Sequence, residues 1–234
     1  MLRALTLILV VASCGACDGD ELAGDALANG DCRAARAPAT GEGTYYDADG
    51  TGNCSFAADP SRMVAAINGP DYATAAWCGA CVEVTGPSGT VVVRIVDKCP
   101  GCASGDLDLS REAFARIAPI SAGRVNISWR EVACEVSGPL AYQFKDGSSQ
   151  YWTAIQVRNH RYPIAMLEAR EAQGAYRSIP RLDYNYFVQD DGLGPGPYTL
   201  RVTDTRGQVV EDGDIAVGDD VARTGAAQFP TCAP

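Results

Sequence analysis

From Gly41 onward the chain is built of short apolar/polar alternations separated by glycine and proline turns. Cys81-Val-Glu-Val-Thr85 alternates, Gly86-Pro-Ser-Gly89 reads as a turn, and residues 90–96 and 124–130 read as two further strands. Two helices are predicted among them. One spans 61–68. The other has Ser110 as N-cap and Glu112 in its first turn, and runs through Phe114 and Ile117.

After Gly138-Pro139 the pattern is all β. The run 140–145 meets Asp146-Gly147, a hairpin signal. Strands are then predicted over 151–158, 164–170, 183–188 and 198–203. Arg206-Gly207 turns into a last one at 208–211. Such close spacing suggests a small β-sandwich. Gly138-Pro139 is the expected boundary, and so short a connection predicts two domains packed side by side.

The N-terminus adds a different signal. Arg3 and the apolar run 5–12, too short to span a bilayer, read as an export signal over 1–17. Val11-Ala-Ser-Cys14 looks like a lipobox that would lipidate Cys14 as the first residue of the mature chain; ordinary signal cleavage nearby would instead leave Cys14 or Cys17 lost or paired. Residues 18–40, rich in Asp, Ala and Gly, read as a flexible acidic spacer.

The ten cysteines then point to disulfides, since an exported chain oxidises. Cys78-x2-Cys81 and Cys99-x2-Cys102, 17 residues apart, also fit a four-cysteine zinc site. The compartment weighs against zinc, so no metal or cofactor is expected. A net charge of −10 argues against nucleic acid and strongly anionic polymers.

The candidate chemistry lies between Cys78 and Cys134. Asp97 precedes Cys99-Pro-Gly-Cys102, and Asp108 lies in Gly105-Asp-Leu-Asp108-Leu-Ser110. Each carboxylate has a structural reading beside the functional one: Asp97 as a turn former, Asp108 as a helix cap. Ser110 can do the capping itself, which favours function for Asp108. No Ser/His/Asp or Cys/His pair is evident, and His160, the one histidine, reads as structural.

These residues resemble the microbial expansins. Gly43-Thr44-Tyr-Tyr, Cys78-Gly-Ala-Cys81, Asp97-x-Cys-Pro, Asp106-Leu-Asp108-Leu-Ser110 and Trp129-Arg-Glu-Val-x-Cys134 match the first domain. Tyr142-Gln-Phe-Lys145 through His160, and Asp183-Tyr184-Asn-Tyr-Phe187, match the second. The resemblance implies a mainly β protein: a six-stranded double-psi β-barrel over 41–136, then an immunoglobulin-like β-sandwich over 137–234. It implies non-hydrolytic loosening of walls by binding cellulose and related glucans, in a secreted monomer that is lipid-anchored if Cys14 is modified. Asp108, Asp97 and Thr44 would form the groove, while Tyr151, Trp152, Tyr184 and Lys145 would bind polysaccharide.

By the family pattern Cys54 pairs with Cys78, Cys81 with Cys134 and Cys99 with Cys102. Cys32 and Cys232 lie outside it and are candidates to pair with each other, tying the tail to the C-terminus. One feature departs from the family: some bacterial members carry a groove tyrosine where Cys99 stands, and Tyr45, Tyr46 or Trp77 would have to compensate. The rival reading is an inverting endoglucanase using Asp108 and Asp47, which needs carboxyls about 6.5–9.5 Å apart. Lytic transglycosylase activity on peptidoglycan is a weaker rival, and a binding module without loosening is a third class.

Overall fold

In the computed structural model, residues 32–171 and 174–232 are described. The export signal, Cys14, Cys17 and most of the spacer lie outside them.

Six strands close a barrel: β1 (Ala39–Tyr46), β2 (Val64–Asn68), β3 (Cys81–Gly86), β4 (Gly89–Cys99), β5 (Leu107–Ser110) and β6 (Val125–Val132). Their order around the barrel is β1-β5-β2-β4-β3-β6. The pairs β1/β5 and β2/β4 are parallel and the others antiparallel, the crossed pattern of a double-psi barrel. Val82, Val84, Val93, Ile95, Leu107, Leu109, Ile127 and Trp129 fill the interior, capped by Phe114 and Ile117 of helix α2 (Arg111–Ile117). Ser110 caps α2, its Oγ accepting from the Ala113 N–H at 3.0 Å.

One predicted helix is a strand. The stretch read as helical over 61–68 forms β2, all five residues of which are buried between β5 and β4. A strand covered on both faces shows a continuous apolar run rather than alternation, and with two alanines it mimics a helical segment. A four-residue helix, α1 (Gly69–Tyr72), follows it.

The second half stacks two four-stranded sheets. One orders β10 (Arg177–Ile179), β9 (Ile164–Glu171), β12 (Tyr198–Asp204) and β13 (Val209–Ile215). The other orders β11 (Phe187–Gln189), β8 (Thr153–Arg158), β7 (Ala141–Phe144) and β14 (Ala222–Thr224). Tyr142, Phe144, Ile155, Val157, Leu167, Leu200 and Val202 pack between them. Two predicted strands begin later than expected. Residues 151–152 form a turn and an isolated bridge ahead of β8, and 183–185 a turn ahead of β11, with Asn185 at φ 64°. Left-handed backbone at Asn185 ends any strand there.

The described part of the expected spacer is anchored. Cys32 is disulfide-bonded to Cys232, and the Arg33 N–H donates to the Arg206 carbonyl. Arg36 pairs with Asp71 and lies over the rings of Trp77 and Trp129.

Candidate functional site

Parallel pairing of β1 with β5 places Thr44 opposite Asp108, β2 places Ala66 opposite Asp108, and β4 places Asp97 opposite Ala66. The four residues form one line across four adjacent strands. Gly43 and Leu109 in the same strands pack inside the barrel, so strand alternation turns Thr44 and Asp108 outward. Ala66 is the small floor between the carboxylates, a role invisible in the sequence because it exists only in the register.

The Thr44 hydroxyl donates to Asp108 Oδ1 at 2.6 Å. Burial raises the Asp108 pKa above the ordinary carboxyl value; the Thr44 bond pulls it down, and the nearby Asp97 charge pushes it further up. Asp97 Oδ1 accepts from the backbone N–H groups of Asn53 at 2.7 Å and Lys98 at 2.8 Å. It therefore orders its own turn and also stands in the groove; the two readings are compatible.

Of the three aromatic candidates, Tyr46 is the one beside the carboxylates. Burial, then the charges of Asp97 and Asp108, hold its pKa well above the usual phenol range, so it stays a protonated donor. Its hydroxyl meets no partner at hydrogen-bonding geometry among the described residues. Tyr45 instead packs on Phe114 at 5.0 Å, and Trp77 meets Trp129 edge-on at 5.5 Å. Asp47, the base required by the hydrolase reading, is exposed just past β1. On β1 it is Thr44 and Tyr46 that share the face of Asp108.

Among the described residues there are four disulfides: Cys32–Cys232, Cys54–Cys78, Cys81–Cys134 and Cys99–Cys102. The last three follow the pairing that the family resemblance implies, and they occupy all four cysteines of the zinc-like spacing. By chain entropy a link spanning 3 positions stabilises by about 2 kcal/mol, against about 5 kcal/mol for one spanning 200. Cys99–Cys102 thus shapes the turn after Asp97 more than it stabilises the whole.

The aromatic row lies on the outer face of the β11-β8-β7-β14 sheet. Tyr151 is 75% exposed, while Trp152 and Tyr184 are half-buried against Ala154, Tyr186 and Val188. Adjacent residues cannot face one way on a regular strand, and the turn at Tyr151 removes that constraint. Lys145, half-buried just past β7, shares this face by alternation with the inward Tyr142 and Phe144.

Groove and row meet through one loop that sequence reasoning missed. The Asn53 side chain donates to the Tyr72 hydroxyl and to the Asp183 carbonyl, both at 2.9 Å. The Ser55 hydroxyl donates to the Tyr184 carbonyl at 2.9 Å, and Lys98 pairs with Asp183 at 3.1 Å. The Cys54 carbonyl accepts from Gln156 and Asn185 side chains. His160 is buried against Gly79 of the barrel, its Nδ1 2.8 Å from the Tyr162 carbonyl oxygen. Burial first, then the Arg94 and Arg181 charges, lower its pKa to about 4 despite the Tyr162 contact. Side-chain ties to carbonyls so distant along the chain leave no local signature.

A family model described as lytic transglycolase matches residues 39–129. Expansin-YoaJ of Bacillus subtilis (strain 168) is 40% identical over 174 residues, which cover 71% of this chain and 74% of that protein. Expansin-like protein 2 of Dictyostelium discoideum is 31% identical over 180 residues, covering 72% of this chain and 44% of that one. The crystal structure of the apo expansin of Clavibacter michiganensis superposes with a TM-score of 0.77 at 33% identity, over 84% of this chain and 100% of that chain. A substituted form of that expansin, in complex with cellohexaose, gives 0.78 over the same shares.

Proposed function

The chain belongs to the expansins, and on that premise we propose that it loosens wall networks without hydrolysis by binding cellulose and related glucans. The observation that carries this is the line Thr44–Asp108–Ala66–Asp97, tied through the Asn53–Ser55 loop to an aromatic row in which Tyr151 is exposed and Trp152 and Tyr184 are half-buried. The cellohexaose complex of the Clavibacter protein supports a cellulose-type ligand.

Each group has a role in this reading. Tyr151, Trp152 and Tyr184 offer ring faces to the C–H faces of a glucan, and Lys145 offers hydrogen bonds to its oxygens. Asp108, oriented by Thr44, holds a sugar hydroxyl in competition with glucan–glucan contacts. Burial holds its pKa above the ordinary carboxyl value, which favours the protonated form, a donor as well as an acceptor, relative to a free carboxyl. Asp97 and Tyr46 extend the polar track. Asp47 lies outside it, which favours loosening over an inverting hydrolase.

We place the protein outside the cell as a monomer: cleavage before Cys14 would leave that residue as the point of a lipid anchor, whereas removal of the whole 1–17 segment would release a free chain. The test is purified protein on cellulosic sheets and isolated walls, with creep and reducing-sugar release measured together. Creep without sugar release supports the proposal. Sugar release that accounts for the weakening would replace it with a hydrolase, and binding with neither would leave a binding module.

A further inference from the structure

The segment Gly52–Ser55 touches both halves of the proposed glucan surface. On the barrel side Gly52 lies directly on Asp97: a Cβ there would fall 2.5 Å from Asp97 Cβ and Cγ. That contact brings the Asn53 N–H to Asp97 Oδ1 at 2.7 Å. Cys54 then fixes the loop to the barrel through its disulfide to Cys78 and through its N–H to the Val96 carbonyl.

The same loop faces the sandwich with its side chains. Asn53 Nδ2 reaches the Asp183 carbonyl at 2.9 Å and Asp183 Oδ2 at 3.4 Å, and the Tyr72 hydroxyl donates to that carbonyl at 2.6 Å. One residue further on, Tyr184 belongs to the aromatic row, and its carbonyl takes the Ser55 hydroxyl. The relative placement of the two halves is set by such contacts together with the short connection at 133–140, whose Ser137 and Pro139 carbonyls accept from the Asn159 side chain; the Asn53 loop is the part of this set that touches Asp97.

We propose that Asn53 is a positioning residue: its backbone holds Asp97 while its side chain holds the Asp183–Tyr184 turn, so that groove and row grip one glucan chain in a fixed register. The inference rests on the glucan-loosening function proposed above. Binding two linked sites at once multiplies affinity only if their spacing is held, so the register shows itself in chain-length dependence. A ligand short enough to occupy the row alone is indifferent to Asn53. One long enough to reach Asp97 is not.

The test compares wild type with Asn53→Ala, which keeps the backbone N–H and deletes only the side-chain tie, by calorimetry over cello-oligosaccharides of increasing length. Wild type is expected to gain affinity as the chain grows. In Asn53→Ala the short ligands bind as in wild type, the gain with length falls by about tenfold, and creep falls with it. Asn53→Gln, which restores the amide, recovers part of the gain, and the melting temperature moves by only a few degrees. An Asn53→Ala protein with the full length-dependent gain and full creep overturns the inference while leaving the function intact. A wild type that binds no cello-oligosaccharide and causes no creep overturns both. Equal loss for short and long ligands would mean that Asn53 only supports the fold, and would also overturn it.

Discussion

Thr44 and Asp108, 64 residues apart in sequence, face each other on parallel strands and share a 2.6 Å hydrogen bond. The bond needs no loop rearrangement, because strand register supplies it. It leaves one carboxyl half-buried beside a second, Asp97, a placement that costs stability when Asp108 is ionised.

That placement has a thermodynamic sign. The folded-state pKa of Asp108 lies above the value of about 3.8 expected for the unfolded chain. Its contribution is therefore lost as pH rises through the folded pKa, and at neutral pH the ionised side chain destabilises the fold. Asp108→Asn keeps an acceptor for Thr44 and removes the charge. Its melting temperature at pH 7 should equal or exceed that of wild type, by up to a few degrees, and the difference should vanish near pH 3. A clearly lower melting temperature at pH 7 would make Asp108 a structural residue.

A second prediction opposes two buried groups. Burial raises Asp204 to about 6, against the pull of the Gln208 and Arg206 backbone N–H groups. Its stabilising effect in the acid form is present below the unfolded pKa and lost as pH rises through 6. His160, held near 4, does the reverse: its stabilising effect is present above 6.5 and lost as pH falls through 4. The two trends offset each other in wild type between pH 4 and 6.5. Asp204→Asn keeps the acceptor for Gln208 and removes one of them. It should be more stable than wild type at pH 7, by on the order of 1–2 kcal/mol, and lose stability more steeply on acidification. Parallel stability curves against pH for the two proteins would contradict this.

In the proposed function the aromatic row binds the glucan. Replacing Tyr151, Trp152 and Tyr184 together by Ala should reduce cellulose pull-down at least tenfold, since ring stacking contributes about 0.5–1.5 kcal/mol per contact. Raising salt should weaken wild-type binding little, because stacking is not ionic and the chain carries a net charge of −10. Undiminished pull-down by the triple variant would place the binding surface elsewhere.

What the sequence disclosed was whatever is local. The alternation of β3, the Ser110 cap of α2 and the Arg206-Gly207 turn all depend on neighbours a few positions away. The motifs around Asp97 and Asp108 were legible by family resemblance, and the structure adds the register that aligns them. What escaped was non-local. β2 has no alternation because both its faces are covered, so it read as a helix. Ala66 matters only for what lies on either side of it. Asn53 reaches Asp183 across 130 positions, and no pattern of residue types announces such a contact.

Creep of a clamped cellulosic wall under Asp108→Asn, with reducing sugar measured in the same bath, tests the central claim most directly. Asp108 sits in the groove of the barrel, whereas the row sits on the other sheet. The variant should stay folded and bind cellulose as wild type does, yet cause less than a tenth of the wild-type creep, with no sugar released by either protein. Wild-type creep from the variant, or sugar release that disappears with the substitution, would contradict non-hydrolytic loosening centred on Asp108.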